Sequence, residues 1–390
     1  MTAQLLLLIR FSLVAYVVYA LIALVAAWSW SRAKHPVAPE WTPAVTVLKP
    51  LRGLDAEAYH NFVSFCHQDY PPECYQIIFG TLSVDDPALE AARRLQREFP
   101  LLDIQVVSGE GVLEGFNRKV CNMAQMLPYA KHSILVLCDS DMRVTPDYLR
   151  RVVAPLRAGA SLVTCPYRGE KPQSIASIWE ALGIGADFIP SAVTSRLLEG
   201  VGFAFGSTIV LTKETLSELG GFEVMKDHLA DDFFLGSEVQ KLGKKTVLSD
   251  YVIQSVLGSV PFSDMWARRL RWSRTLRYCR PGGYLGSFVT HGFALATLYL
   301  ALTGFSVLGW RVFSAVLIFR LLAVSLTTCL WTNDPNPLRY LLLLPLSDLL
   351  SFAIFALSFM GNGVEWRGER FRVQRGGKLI ATVPRDHLTK

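Results

Sequence analysis

Ile134-Leu135-Val136-Leu137-Cys138-Asp139-Ser140-Asp141-Met142-Arg143-Val144 is the stretch whose reading decides the fold. Five apolar residues run straight into two carboxylates one residue apart, and then the chain turns polar. A continuous apolar run of this length, closed by a turn signal, reads as a strand buried on both faces of a parallel sheet. Ligands of open α/β sheets collect just outside the carboxyl ends of such strands, which is where Asp139 and Asp141 fall. Two carboxylates that close repel each other unless a cation lies between them. Hard divalent ions such as Mg2+ favour carboxylate together with phosphate oxygens. The pair therefore reads as a metal–diphosphate site, with Mg2+ or Mn2+ as candidate ions. The competing reading is an acidic strand-end loop that caps the following helix, a duty Asp147 before Tyr148 can share.

Outward from this stretch the pattern repeats. Val45–Pro50, Gln76–Gly80 and Asp103–Val107 are further short strands. Between them Leu54–Cys66, Ala88–Phe99 and Asn117–Met126 have helical spacing. Strands alternating with helices of this length indicate an α/β fold with a mainly parallel sheet and right-handed crossovers. No G-x-G-x-x-G and no G-x-x-x-x-G-K-[ST] occurs, so neither a dinucleotide fold nor a P-loop is indicated. The second half is less regular. Ser161–Cys165 and the glycine-flanked Phe203–Thr208 read as strands, and His228–Phe233 opens a helix. Ile175–Leu198 is too polar at Asp187, Ser191 and Ser195 to span a bilayer. It reads as an interfacial or acceptor-groove helix, or as a buried core helix.

The chain has 390 residues, 51% of them hydrophobic and only 18% charged, with a mean hydropathy of +0.30. That is too apolar for one soluble domain and too charged for a pure transporter. Leu5–Trp30 is apolar apart from Arg10 and long enough to span, and Arg32 and Lys34 follow it. It reads as a retained anchor whose trailing basic residues put the next segment on the cytoplasmic side. Leu285–Gly304, Arg311–Trp331 and Leu338–Met360 are three further candidate spans. The division expected is an anchor over 1–34, a catalytic domain over 35–280, a membrane region over 281–362 and a basic tail over 363–390. A cytoplasmic domain followed by three full crossings would put that tail outside, whereas its charge says inside. Arg311, Asp334 and Asp348 then mark a segment that re-enters or lies in the interface. Seven scattered cysteines without C-x-x-C spacing argue for reduced thiols. The formal net charge of +6, with no Arg/Lys stripe interleaved with aromatics, suits an anionic membrane surface or a phosphate substrate and not nucleic acid.

Single-displacement transfer of a sugar needs a nucleoside pocket, a cation on the departing diphosphate and one carboxylate to take the acceptor's proton. Three acidic clusters match these jobs. Asp86 would contact the base or ribose, Asp139 and Asp141 would hold metal and diphosphate, and Asp232 would be the base. Helix capping is the alternative for Asp231-Asp232. In the cationic helix Met265–Arg277, Arg268 and Arg271 share a face with Trp272 beside them, forming a phosphate clamp with an aromatic platform. A membrane-surface helix with snorkelling arginines is the competing reading. Lys119 is placed to touch the diphosphate, or is a solvated surface charge.

These residues, in this order, resemble the membrane glycosyltransferases of the GT-A fold, and most closely the ceramide glucosyltransferase family. Asp86, Asp139, Asp232 and Arg268-x-x-Arg271-Trp272 occupy the places of that family's D, D, D and Q/R-x-x-R-W. Val47–Gly53, Asp69-Tyr70-Pro71 and Trp366–Arg372 are similar to its opening and tail. The resemblance implies a Rossmann-like catalytic domain flanked by transmembrane helices, a UDP-sugar donor, inversion at the anomeric carbon, and a membrane lipid acceptor reached at the cytoplasmic face. The ceramide type moves glucose from UDP-glucose to ceramide. One departure is Asp141, where the animal enzymes carry glycine. Asn117-Arg118-Lys119 and Asp139-Ser140-Asp141 are more similar to the bacterial hopanoid-biosynthesis branch. That branch moves N-acetylglucosamine from UDP-GlcNAc to bacteriohopanetetrol and implies a bacterial inner membrane. Rival readings are a processive polysaccharide synthase, which needs more spans, a polyprenyl-phosphate glycosyltransferase, and a catalytically dead sugar-nucleotide-binding protein.

Overall fold

The computed structural model describes residues 2–38, 40–331, 334–366 and 369–381. A 31-residue helix, α1 (Thr2–Arg32), leads into an α/β layer. There β1 (Val45–Pro50), β2 (Tyr75–Thr81), β3 (Asp103–Ser108) and β4 (Ile134–Leu137) alternate with α2 (Ala58–Cys66), α3 (Ala88–Glu98) and α4 (Arg118–Met126). The strands are mutually parallel in the order β3-β2-β1-β4. Alternate side chains feed two apolar layers. Val47, Ile77, Phe79 and Val136 pack with Phe62, Phe65, Ala92 and Leu95. Leu48, Ile78, Leu135 and Leu137 pack with Val120, Met123 and Met126. Helices on both faces are why these strands are continuous apolar runs and not alternating ones.

Beyond β4 come β5 (Met142–Arg143), α5 (Tyr148–Arg157), β6 (Leu162–Thr164), β7 (Tyr167–Pro172), α6 (Ile175–Gly183), α7 (Ile189–Glu199), β8 (Ile209–Thr212), α8 (Lys213–Glu218), α9 (Asp231–Lys241), β9 (Thr246–Leu248), β10 (Ile253–Gly258) and α10 (Phe262–Cys279). The sheet continues β4-β8-β6-β9, and β8 is antiparallel to both its neighbours. A second sheet, β5-β10-β7, ties the turn after β4 to the chain leading into α10. One expectation is corrected here and one is met. Phe203–Thr208 is a turn closed by Thr208 N–H donating to Phe205 O at 3.1 Å, and the strand begins only at Ile209. The helix expected over Ile175–Leu198 is present, running without a gap from Ile175 to Glu199, with a π-helical turn at Ile184–Phe188 between α6 and α7.

The membrane region follows as α11 (Pro281–Gly286), α12 (Gly292–Leu302), α13 (Val307–Trp331), α14 (Asn336–Arg339) and α15 (Leu344–Ser358). Among the described residues three helices are long and apolar enough to cross a membrane: Ala3–Arg32, Val307–Leu330 and Leu341–Ser358. The continuous span expected at Leu285–Gly304 is instead bent by 59° between Pro281–Thr290 and Gly292–Leu302. Hydropathy reports composition and not direction, so the Thr290-His291-Gly292 break was invisible to it. Within the bundle, α1 packs Ile9, Leu13 and Tyr16 on Leu295, Ala296 and Tyr299 of α12 and Val316 of α13. Arg320 of α13 binds Asp348 of α15 through two hydrogen bonds of 3.0 and 2.8 Å, and Asp187 of the π-turn at 2.5 Å. An unpaired charge at such a depth costs about 2.5–3.5 kcal/mol on insertion scales, and this triad supplies each charge with a partner.

Both ends of α15 meet the α/β domain. Asn336, before it, donates to Gly169 O of β7 at 2.5 Å. After it, Met360 O and Gly361 O accept from Arg274 and Arg277 of α10 at 3.0 and 2.6 Å. The chain then forms β11 (Gly363–Trp366), β12 (Glu369–Val373) and β13 (Leu379–Ala381), an antiparallel sheet where a basic tail was expected. Val364, Phe371, Val373 and Leu379 bury against Leu229 and Phe116 of the α/β domain, on whose side they therefore lie. The tail residues Arg367 and Arg385 lie outside the described residues.

Candidate active site

A cleft of about 2100 Å³ opens at the carboxyl ends of β1, β2 and β4, and Asp86, Lys119, Asp139, Asp141, Asp232, Arg268, Arg271 and Trp272 all line it. Every residue picked from the sequence thus meets in one place. Asp139 and Asp141 follow β4 directly. Lys119, in the first turn of α4, reaches Asp139 Oδ1 at 2.6 Å and Asp231 Oδ2 at 3.5 Å. It is therefore a bridging cation and not a solvated surface charge. Burial alone would lower its pKa, but Asp139, Asp231 and Asp232 carry it above the ordinary lysine value. Asn117 caps α4, its side chain accepting from the N–H groups of Lys119 and Val120, and donates to Asp231 Oδ1 at 3.0 Å. A capping residue and a lysine two positions later thus tie β4, α4 and α9 together.

Asp232 sits in the first turn of α9. Its Oδ2 accepts from Gly206 N–H at 2.9 Å and its Oδ1 from its neighbour Phe233 N–H at 2.8 Å. Burial and the adjacent Asp231 push its carboxyl up to about 6, against the pull of Lys119. Gly206 is the joint of the site, because its carbonyl also accepts from Asp139 N–H at 3.2 Å. A Cβ at this position would stand 2.7 Å from Asp139 Oδ2 and 2.8 Å from Lys119 Nζ, so a larger residue would displace the tips of both side chains. Asp86 has backbone partners as well as a place on the cleft. Its two carboxylate oxygens each accept from Gly53 N–H at 3.0 Å, and Oδ1 also takes Ala88 N–H at 2.9 Å. It holds the loop after β1 and starts α3 while keeping a place on the cleft wall. On α10, Arg271 lies 5.8 Å from the Trp366 ring centroid, so the C-terminal sheet forms a wall of the cleft.

Several residues at the site were given no role from the sequence. Lys49 of β1 is fully buried, with Nζ donating to Asp139 O at 2.8 Å and lying 3.9 Å from the Phe65 ring centroid. Desolvation of an ammonium costs several kcal/mol, and this one buttresses the strand end that carries the acidic pair. Asp55 accepts a short hydrogen bond from Ser140, and Ser255 of β10 donates to Asp141 Oδ2 at 3.2 Å. Burial, then Asp139 and Asp55, push the Asp141 carboxyl up to about 7. Among the described residues no group of three or more His, Cys, Asp or Glu side chains gathers as a metal site. The residues present still fit a divalent cation. A crowded acidic pair at a strand end is what an oxygen-seeking ion relieves, and Mg2+ sites commonly use one or two carboxylates and take their other ligands from phosphate and water.

This mixed sheet, with an acidic pair closing its central strand and a second acidic helix start across the cleft, defines a glycosyltransferase of the GT-A type joined to membrane helices. The fold is shared with the mannosyltransferase PcManGT from Pyrobaculum calidifontis, solved with GDP-Man and Mn2+. The two are 17% identical with a TM-score of 0.58, covering 92% of this chain and 98% of that one. Residues 7–379 match the profile of glycosyl transferase family 21, and the chain belongs to that family. Relatives include ceramide glucosyltransferase 1 of Caenorhabditis elegans, 26% identical over 366 residues, or 90% of this chain and 76% of that protein. Ceramide glucosyltransferase 3 of the same organism is 24% identical over 388 residues, or 94% and 80%. These relatives are named for ceramide, and neither for a hopanoid.

Proposed function

We propose that the protein transfers a sugar, with inversion, from a UDP-sugar to a hydroxyl of a membrane lipid on the cytoplasmic face, as a ceramide glucosyltransferase moves glucose to ceramide. The observation that carries this reading is the continuity of the cleft. It is lined by Asp139 at the end of β4 and Asp232 at the start of α9, and equally by Tyr284, His291, Ile354 and Phe355 of the membrane region. A lipid acceptor cannot leave the bilayer cheaply, since each exposed CH2 costs about 0.8 kcal/mol. The cleft accordingly descends to the lipid.

In this mechanism Asp232 accepts the acceptor's hydroxyl proton as its oxygen attacks the anomeric carbon from the face opposite the diphosphate. The bond to UDP breaks as the new glycosidic bond forms. Asp139 and Asp141 would hold a divalent ion, which when bound neutralises the departing diphosphate. Lys119, Arg268 and Arg271 supply positive charge along the same wall, and Arg271 presents a planar fork that a lysine lacks. Lys49 and Gly206 hold Asp139 and Asp232 in register across the cleft. Trp272 and the C-terminal sheet with Trp366 close the cleft against water.

A second reading, transfer of N-acetylglucosamine to a polyhydroxylated hopanoid, is favoured by Asp141, which stands where the animal enzymes carry glycine. The experiment is direct. Purified protein is incubated with UDP-glucose or UDP-GlcNAc and with ceramide or bacteriohopanetetrol, and the lipid product is identified by mass. A single-sugar lipid supports the reading, whereas a polymer, a phosphate-linked sugar or no product with any pair refutes it.

A further inference from the structure

Beneath the strand ends, α6 and α10 leave two charged side chains in the cleft that neither donor binding nor proton removal uses. Glu180 of α6 is only 4% exposed, and its Oε2 has no hydrogen-bond partner. Arg269 of α10 lays its guanidinium 4.4 Å from the Trp179 ring centroid, and its buried Nη1 is likewise unpartnered. Gly183 makes room for this arginine, since a Cβ there would stand 1.9 Å from Nη2. Both side chains line the cleft. Burial raises the Glu180 carboxyl, and Arg269 is the first of the charges that oppose the rise.

A buried acceptor and a buried donor without partners are costly, and native proteins keep such groups where a ligand or water completes them. The surroundings say which ligand. The same cleft is lined by Asp139 and Asp232 and by Tyr284, Ile354 and Phe355 of the membrane region, and Trp179, on which Arg269 lies, packs with Ile354 of α15. A lipid whose tail rests among those helices while its hydroxyl meets Asp232 must carry its head group past Glu180 and Arg269.

We infer that Glu180 and Arg269 form the acceptor head-group subsite, and that it takes a lipid with two neighbouring polar groups. One is a hydroxyl donating to Glu180. The other is an oxygen, of a hydroxyl or an amide carbonyl, accepting from Arg269. The inference rests on the proposed lipid glycosylation and adds a demand on the acceptor: a lipid with a single alcohol is rejected. Sites built to hydrogen-bond a substrate group discriminate strongly against analogues lacking it, because their own polar atoms are then stranded.

The test uses the full chain in detergent with three probes: a short-chain N-acyl amino-diol lipid, a lipid with vicinal hydroxyls, and a mono-alcohol of matched tail. Binding is measured by calorimetry with UDP present, and the acceptor and donor KM values by turnover. Wild type should bind at least one bifunctional probe tenfold or more tighter than the mono-alcohol, and the preferred probe identifies the head-group chemistry. Glu180→Leu and Arg269→Lys should each erase that preference and raise the acceptor KM, while UDP affinity and donor KM stay within twofold. Should Glu180→Leu lose UDP affinity as well, Glu180→Gln replaces it, with an expected loss of at least threefold. Equal binding of all three probes by wild type, or a preference that survives both variants, overturns the subsite. An intact preference without sugar transfer to any lipid overturns the reaction and leaves the subsite standing.

Discussion

Replacing Asp232 by asparagine separates a chemical role from a structural one. The side chain keeps its shape, and its amide oxygen can still accept one of the two N–H groups, of Gly206 or Phe233, that the carboxylate now accepts. The lost hydrogen bond is worth about 1 kcal/mol, a factor of about five in any process that depends on the local geometry. Loss of a general base typically costs about 10²–10⁴-fold, or roughly 2.7–5.4 kcal/mol at 1.36 kcal/mol per decade. The two accounts therefore differ by more than an order of magnitude. The pH profile adds a second handle. Because the carboxyl is raised to about 6, the base is protonated below that pH and ionised above it. Wild-type turnover should accordingly fall about tenfold per unit on the acid side of pH 6, and Asp232→Asn should lose that limb. The assay is sugar transfer to lipid in detergent from pH 4.5 to 8, with UDP affinity measured in parallel. A residual rate within tenfold of wild type, an unchanged acid limb, or loss of UDP affinity would refute the assignment.

Gly206→Ala pushes a methyl group toward Asp139 and Lys119; overpacking of this kind costs about 1–3 kcal/mol, read as a lowered thermal midpoint, and the misplaced acidic pair should cut turnover by about 100-fold. A variant with wild-type turnover would mean that Asp139 moves without consequence. Activity should require a divalent cation, so robust turnover in excess EDTA after dialysis contradicts the metal reading. Asp141→Gly should raise the Mg2+ or Mn2+ concentration needed for half-maximal activity without abolishing it, and an unshifted titration would free Asp141 of that role. Arg271→Lys should lower turnover by about tenfold or more, the scale of a charge-assisted hydrogen bond, with normal recovery in the membrane fraction; failure to insert would make α10 an anchor only.

What the sequence made legible was local. Five apolar residues ending in Asp-x-Asp define a buried strand and its functional end without reference to anything distant, and the same logic located β1, β2 and β3. Parallel strands of one sheet end on one edge, which brings Asp86 after β2 and the Asp139/Asp141 pair after β4 to one cleft, whereas Asp232 reaches it from the start of α9 through Gly206. Features decided by long-range contact were hidden. Lys49 looks like a polar interruption of a strand, and only the sheet order shows it under Asp139 in the central strand. Phe203–Thr208 has strand composition, yet Gly206 must turn there to meet both Asp139 and Asp232. The C-terminal sheet was masked by its charges, although Val364, Phe371, Val373 and Leu379 supply its buried face. Glu180 belongs to no motif and Arg269 fills a variable place in Arg268-x-x-Arg271-Trp272; their interest lies in missing hydrogen-bond partners that only the folded structure reveals.

The pinning of the C-terminal sheet has a consequence for biogenesis. Gly377 O accepts from Leu229 N–H at 3.0 Å, and Leu379 N–H donates to Asp227 O at 2.7 Å, in the loop that leads to Asp232. Gly376 N–H donates to Tyr278 O on α10 at 3.1 Å. The wall of the cleft is thus laid by a segment that follows all three candidate membrane helices found among the described residues. A chain without that segment lacks the surface beside Arg271 and the brace on the Asp232 loop. The cleft is therefore complete only once this segment has been made and has docked, so its closing wall is set after the membrane helices that precede it.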